Sequence, residues 1–158
     1  MQKTEKADLN SVFNNRLLIP DYQRAYSWKT KQVRQFFEDL EYAVTNNFEE
    51  STEKYHYFGT VVFEDKQRKY TNGGYSVKEY DIVDGQQRLI TVSIFARVLI
   101  DIITTMEENK RLDTTKINTT EIKKDITELF INKSGMNRLE PEDISKDAYK
   151  TIVIHGET

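Results

Sequence analysis

The chain contains no cysteine and only two histidines among its 158 residues. The first absence excludes disulfides, thiol catalysis and cysteine-ligated zinc or iron–sulfur centres. The histidines, His56 and His155, lie far apart in sequence and have no ligand-like spacing, so a histidine-rich metal site is not expected. An excess of positive charge is also missing. With 23 Lys and Arg against 26 Asp and Glu the formal net charge is −3, so DNA binding would need a local basic patch or a partner domain. No apolar run is long. Leu89 to Ile103 falls short of a bilayer span and is interrupted by Arg97 and Asp101, and the N-terminal MQKTEKADLN lacks a signal-peptide core. These features predict a cytoplasmic protein without membrane association. No internal repeat is visible, and the length suits one domain with a real core.

What is present is concentrated in Tyr80-Asp81-Ile82-Val83-Asp84-Gly85-Gln86-Gln87-Arg88-Leu89-Ile90-Thr91. Tyr80, Ile82 and Val83 form a short β-prone run, and the residues after Arg88 are apolar around most of a helix, which must therefore be buried on more than one side. Gly85, at the junction, can take backbone angles closed to other residues and admits a ligand close to the main chain. The N–H groups of Gln86 and Gln87 open the helix without internal partners and carry partial positive charge. With Arg88 added, the turn is suited to an anion, above all a phosphate. Two readings stay open at this point. Arg88 grips phosphate oxygens or makes a structural ion pair, and Asp84 holds Mg²⁺ beside phosphates or caps the helix.

Around that turn the patterning predicts a helix over 7–14 and a strand over Arg16 to Ile19 that Pro20 ends. An irregular aromatic and polar segment follows to Trp28. A helix capped by Ser27 or Thr30 then runs to about Asn46, burying Val33, Phe36, Phe37, Leu40 and Val44. A polar loop over Asn47 to Lys54 precedes a strand over Tyr55 to Phe63, with Gly59 marking a bulge or close approach and His56 a structural residue. The charged 64–69 segment, whose Lys66 to Lys69 end reads as a solvated tip, leads to the reversal at Asn72-Gly73-Gly74 and a second hairpin arm over Tyr75 to Val83. Residues 1–107 form the core, 108–119 a flexible linker or loop, and 120–158 a helical C-terminal extension of the same domain. Two helices are expected there, about 120–131 and from Pro141 or Asp143 to Ile154 with Gly156 as the stop, with Asn137 to Leu139 extended between them. The whole is an α+β arrangement, a small and mostly antiparallel sheet surrounded by helices.

Ile19-Pro20-Asp21-Tyr22-Gln23-Arg24-Ala25-Tyr26-Ser27-Trp28 resembles the IPxYQRxYxW box of the GmrSD-type restriction-endonuclease N-terminal domain, within the ParB-like nuclease group. Asp84 to Leu89 with Thr91 is similar to its DGQQRLxT box, and Tyr57 to Val62 to its YFLGSIV strand. Arg138-Leu139 with Asp147, Tyr149 and Gly156 resembles its C-terminal pattern. Ala25 stands where proline is common and Ile90 where threonine is common. The resemblance spans residues 9 to 156.

The resemblance implies a ParB-like core whose DGQQR turn binds a nucleoside triphosphate of unknown base. It also implies Mg²⁺-dependent hydrolysis that controls an HNH-type nuclease domain or subunit of a phage-defence system. No HNH-like run occurs before Thr158, so nuclease activity is not expected of this chain, which reads as a fragment or a stand-alone regulator that meets DNA only through the full system. In these terms Tyr22, Gln23, Arg24, Gly85, Arg88 and Thr91 bind the nucleotide, and Asp84 holds the metal. Gln86 or Gln87 orients the attacking water. Tyr22, Tyr26 and Trp28 offer faces to a base, with Tyr22 the better candidate and Trp28 assigned to packing. The rival readings are a non-hydrolysing DNA- or partner-binding module with a vestigial pocket, and a nuclease built on Asp81 and Asp84.

Overall fold

A computed structural model describes residues 5–49, 57–142 and 145–157. Of the expected loop over Asn47 to Lys54, residues 47–49 are helical instead; its remainder, the start of the 55–63 strand, His56 and Asp143 lie outside the described residues. The chain begins with α1 (Leu9–Phe13), whose first turn is capped by Asp8 accepting the Ser11 amide at 2.6 Å, and continues into β1 (Arg16–Ile19). Then come α2 (Thr30–Glu49), the hairpin β2 (Val62–Asn72) and β3 (Tyr75–Asp84), and the 23-residue α3 (Gln86–Glu108). The C-terminal part holds α4 (Thr119–Phe130), β4 (Asn132–Lys133), β5 (Met136–Asn137), β6 (Leu139–Pro141) and α5 (Lys146–Tyr149). The chain then widens into a π-helical stretch over Lys150–His155, closed by Gly156 at φ 70°.

The α+β class holds, and the sheet is mixed. Its order is β2-β3-β1-β6, with β2 antiparallel to β3 and β1 parallel to both its neighbours; β4 and β5 form a separate antiparallel pair. The hairpin closes where Gly73 and Gly74 both take positive φ (55° and 83°), as a tight two-residue reversal demands. Its first arm starts at Val62 rather than Tyr55 and runs through the charged 64–69 segment, because that charge has partners on the neighbouring strand. Lys66 and Arg68 pair with Asp81 on β3, and Arg68 also with Glu79 at 3.0 Å. Lys66 and Arg68 therefore do not form a solvated tip. A register shift between Glu64 and Arg68, with Gln67 at φ 57°, accommodates the pairs.

Strand alternation sorts the sheet into two unlike faces. Leu17, Ile19, Ile82 and Leu139 point to the core, where they meet Leu89, Ile90, Val92, Ala96 and Ile100 of α3. Phe13, Ile131, Tyr149 and Val153 close the far side, with Phe13 edge-on to Phe130 at 5.2 Å. On the other face Arg16 of β1 reaches Glu79 of β3 and, at 2.6 Å, Glu140 of β6, while lying 4.6 Å over the Tyr70 ring. The central strands are thus joined by side-chain charge as well as by main-chain bonds.

Helix α3 is longer than the apolar run alone implies, since nothing between Gln86 and Glu108 breaks it. By length and composition it would suffice to cross a bilayer; the buried third of its apolar stretch packs on the sheet and against α4. Helix α2 buries a narrower stripe than its pattern implies. Phe36 is buried, whereas Phe37 and Val44 are exposed, because the helix touches the rest mainly through aromatic edges such as Phe36 to Phe58 (5.5 Å) and Phe37 to Phe95 (5.2 Å). The expected single C-terminal helix is instead α5 plus the π-helical stretch. Arg97 of α3 donates to the carbonyls of Val153 (3.0 Å) and Ile154 (3.5 Å), drawing them from the regular ladder.

The 109–118 connection carries its own turn bonds, Thr115 N to Asp113 Oδ1 (3.1 Å) and Lys116 N to Asp113 O (3.0 Å). Its two ends are tied by Glu107, which accepts from the Thr119 hydroxyl and from Lys123 at 2.5 Å. The Lys123 bond, then the Thr119 bond, hold the Glu107 carboxyl below its ordinary pKa of 4.5. A depressed carboxyl stabilises the fold above its unfolded pKa, and that contribution is lost as pH falls through the folded value. Glu107→Gln is therefore expected to lower the melting temperature at pH 7. The gap to the wild type should shrink steadily on acidification below about pH 4.5, read by thermal melts across pH 3 to 7.

Candidate functional site

The strand-to-helix turn is built on Gly85, whose φ of 94° places it in the left-handed region and makes it the residue before the first turn of α3. A side chain there would also collide with Val61, whose Cγ2, Cγ1 and Cα lie 3.0, 3.1 and 3.2 Å from the position of a Cβ. The space beside Gly85 is thus filled by Val61 rather than left open to a ligand. Asp84 sits one residue ahead of the cap. Its Oδ1 accepts the Gly85 amide at 2.8 Å, no side chain caps α3, and the carboxylate is exposed. The capping reading of Asp84 therefore does not hold.

The first aromatic box folds over this turn and is fastened to it by side-chain amides. A turn from Gln23 N to Pro20 O (3.0 Å) starts the segment, and Gln23 Nε2 then donates to the Val83 carbonyl at 3.2 Å. Gln86 Nε2 donates to Gln23 Oε1 at 3.4 Å. Gln87 does more: its Oε1 accepts the Ser27 amide at 2.7 Å and its Nε2 donates to the Ala25 carbonyl at 3.1 Å. Both glutamines are buried. Thr91, also buried, donates to the Gln87 carbonyl (2.8 Å) and meets the Tyr26 hydroxyl at 3.0 Å. Ser27 is therefore not the cap of α2. That helix begins at Thr30, and Gln32 Oε1 accepts the Lys29 amide at 3.1 Å, as a glutamine at the third helical position does.

Arg88 leaves the same turn on another side. Its Nη1 donates to the Thr60 carbonyl at 2.9 Å, and the guanidinium lies flat on Gly59, where a Cβ would stand 3.0 Å from Cζ and Nε. Gly59 at φ 101° is thus a close-approach glycine, and it lies before the start of β2. No carboxylate pairs with Arg88 among the described residues, so the structural ion pair is not what holds it. Its guanidinium lines an open cavity of about 210 Å³ between α2, Trp28 and residues 57–58.

The structure brings Gln23, Gln86, Gln87 and Thr91 into one network, with Gly85 and Asp84 at its edge. Tyr22 and Arg24 are exposed, and no contact joins them to Arg88 among the described residues. Tyr22 lies instead toward Lys66 of the hairpin. Asp81 and Asp84 do not converge. Three residues apart on a strand, they face opposite sides, and Asp81 is buried between Lys66 (2.6 Å) and Arg68. The hydrogen bond to Asp81 holds the Lys66 ammonium above its usual range. Among the described residues no three Asp, Glu, His or Cys side chains gather as a metal-binding group.

Sequence reasoning missed the Arg16–Glu79–Arg68–Asp81 face. Its signal was the alternation of Arg16 with Leu17 and of Glu79 and Asp81 with Tyr80. It missed Arg138 as well, which is fully buried and donates to the Glu128 carbonyl (2.8 Å) at the end of α4 and to the Tyr75 hydroxyl (3.1 Å). One consequence of the glutamine network is measurable. Gln87→Ala removes two hydrogen bonds to part-buried main-chain groups, at about 0.5–1.5 kcal/mol each. It should therefore cost about 1–3 kcal/mol in urea unfolding. Gln86→Ala, which loses one long bond, should cost about 1 kcal/mol.

Comparison with curated proteins gives no match to this chain. Comparison with protein families does: residues 8–154 match the GmrSD restriction endonuclease, N-terminal domain. The matched span contains the aromatic box, the Gly59 segment, the turn at Gly85 and the buried arginine of β5 to β6. The chain belongs to the GmrSD restriction endonuclease N-terminal domain family and is thereby part of a restriction system.

Proposed function

We propose that the domain binds the phosphates of a nucleoside triphosphate at the N-terminus of α3 and hydrolyses them, regulating the nuclease activity of a phage-defence restriction system in the cytoplasm. The observation that carries this reading is Arg88. It is a half-buried guanidinium with no carboxylate partner among the described residues, braced by a carbonyl and a glycine beside a cavity. An arginine held this way keeps donors directed outward and loses little side-chain freedom when an oxyanion arrives. The amides of Gln86 and Gln87 have no helical acceptors behind them and add the positive end of α3. Arg24, exposed on the box that folds over the turn, is a further cation for the phosphates.

Asp84 fits the requirement for Mg²⁺, which binds through one or two carboxylates together with substrate phosphates rather than in a protein cage. One of its oxygens is bonded to the Gly85 amide and the other is free at the surface. Bound there, the ion would supply charge neutralisation at the phosphates. Of the two glutamines, Gln87 already uses its oxygen and one amide hydrogen on the main chain, so positioning a water falls to Gln86. Gln87 and Thr91 serve the site by holding Ala25, Tyr26 and Ser27 in place. Partners in this reading are a nuclease domain or subunit and, through it, DNA.

The test is phosphate release from ATP, GTP, CTP and UTP with Mg²⁺, beside equilibrium binding. Arg88→Ala should weaken binding or turnover by about tenfold to a hundredfold, in line with the loss of a charge-assisted bidentate contact. Gly59→Ala should act in the same direction by displacing Arg88 from its seat. Asp84→Ala should abolish Mg²⁺-dependent turnover while leaving the fold intact by thermal melt. Binding without turnover would make the domain a nucleotide sensor, and a folded protein that does neither would end the nucleotide reading.

A further inference from the structure

Helix α2 is 20 residues long, yet Phe36 is its one fully buried side chain among the described residues. Val33, Phe37, Leu40 and Val44 follow one another at steps of four, three and four residues, the spacing of a two-helix seam. Val33 and Leu40 are half-buried, whereas Phe37 and Val44 are 41% and 53% exposed, so the seam is still open. Apolar surface continues from it onto α3. Phe37 meets Phe95 at 5.2 Å, and the exposed Val98 and Ile102 follow Phe95 at three and seven residues.

The charges bordering the seam repeat with it. Arg34 and Glu41 stand seven residues apart, each three residues before an exposed apolar position, so both lie on the same edge. Both are exposed, and among the described residues neither has an ion-pair partner. About 10 Å of helix separates them, too far for a pair within one chain. The cavity beside Arg88 is lined from the opposite flank of α2, by Gln32, Gln35 and Asp39. Seam and cavity are thus separate surfaces of one helix.

We infer that the open seam of α2 is a dimer interface, and that its occupant is α2 of a second copy of this chain, paired antiparallel about a two-fold axis. In that arrangement Phe37 packs against Leu40 of the second copy, and Val33 against its Val44. The same edge of both helices then comes together. Arg34 of each copy meets Glu41 of the other, and the two-fold axis makes the contact twice. A helix with a base and an acid at equivalent positions of one edge is complemented by its own antiparallel copy, and this charge order selects a second copy as the partner. A parallel pair would instead set that edge against the Phe36 side of the other helix, which is already committed to its own core. Three turns of helix with an apolar rim on α3 form an interface at the small end of the specific range, so dissociation at roughly micromolar concentration is expected. The inference is independent of the nucleotide reading, because the cavity stays uncovered.

The experiment is sedimentation velocity of the 158-residue chain from low to high micromolar concentration. Its mass should rise from 18.6 kDa toward twice that value. Val44→Glu should keep the chain at the monomer mass throughout without lowering its melting temperature, since Val44 is exposed in the monomer. Arg34→Glu and Glu41→Arg each set like charges against one another across the axis, and each should weaken association by about tenfold or more. Mixed in equal amounts, these two variants should associate with each other more tightly than either does with itself, because the acids of one then face the bases of the other. The double variant Arg34→Glu/Glu41→Arg should dimerise like the wild type. Both results are gains of association, which misfolding cannot produce. A monomer at every concentration, a dimer indifferent to Val44→Glu, or charge variants that do not recover on mixing would overturn the inference.

Discussion

The buried Gln87 side chain accepts the Ser27 amide and donates to the Ala25 carbonyl, and much of the architecture follows from those two bonds. The segment from Pro20 to Lys29 has no helix or strand to satisfy its main chain. Its polar groups must find partners where it packs over the buried end of α3, because an unpaired amide shielded from water is costly. A carboxamide presents its donor and its acceptor on separate atoms, as a peptide unit does, so glutamine can stand in for a neighbouring strand. One turn along α3 the Thr91 hydroxyl adds a side-chain bond to the Tyr26 hydroxyl. Polar residues on a deeply buried helix end are in this sense the seat of the aromatic box, and the box in turn leads directly into α2 and one wall of the cavity.

A second device appears twice on α3. Arg88 lies on Gly59 and donates to the Thr60 carbonyl; Arg97 lies on Gly156 and donates to the carbonyls of Val153 and Ile154. In each case the glycine takes a positive φ and a Cβ would stand about 3 Å from the guanidinium, at 3.0 Å and 3.1 Å. Irregular backbone is thus held to a regular helix by a planar cation whose multiple donors match carbonyls. The two sites differ in their surroundings. Arg97 has Asp101 at 3.8 Å one turn on, whereas among the described residues no carboxylate pairs with Arg88, which lines a cavity.

The sheet face opposite α3 is organised by charge. Arg16 links three strands through Glu79 and Glu140, and Arg68 and Lys66 of the hairpin close on Glu79 and Asp81. Half-buried pairs of this kind give little net stability over apolar packing, but losing a cation strands the enclosed Glu79 or Asp81 carboxylate. They set the register of β1 between two parallel neighbours, where no hairpin turn could do so. They also withdraw Asp81 from any chemistry at the turn, leaving Asp84 as its free carboxylate.

The amino-acid sequence by itself determined the α+β class, the β3–turn–α3 unit, the Gly73-Gly74 reversal, and the helices about 30–46 and 120–131 to within a few residues. It did so because hydrophobic period, turn glycines and helix caps are local signals. It also marked Gly59 as the site of a bulge or a close approach. Tertiary structure alone decided what approaches it, since nothing near Gly59 in the chain points to Arg88. Likewise, strand propensity cannot show that Lys66 and Arg68 belong to a strand when their partners lie on β3. Nor can composition tell a glutamine that orients water from one saturated by a distant main chain. Gln86 and Gln87 are adjacent and chemically identical, and only the positions of Gln23, Ala25 and Ser27 distinguish them.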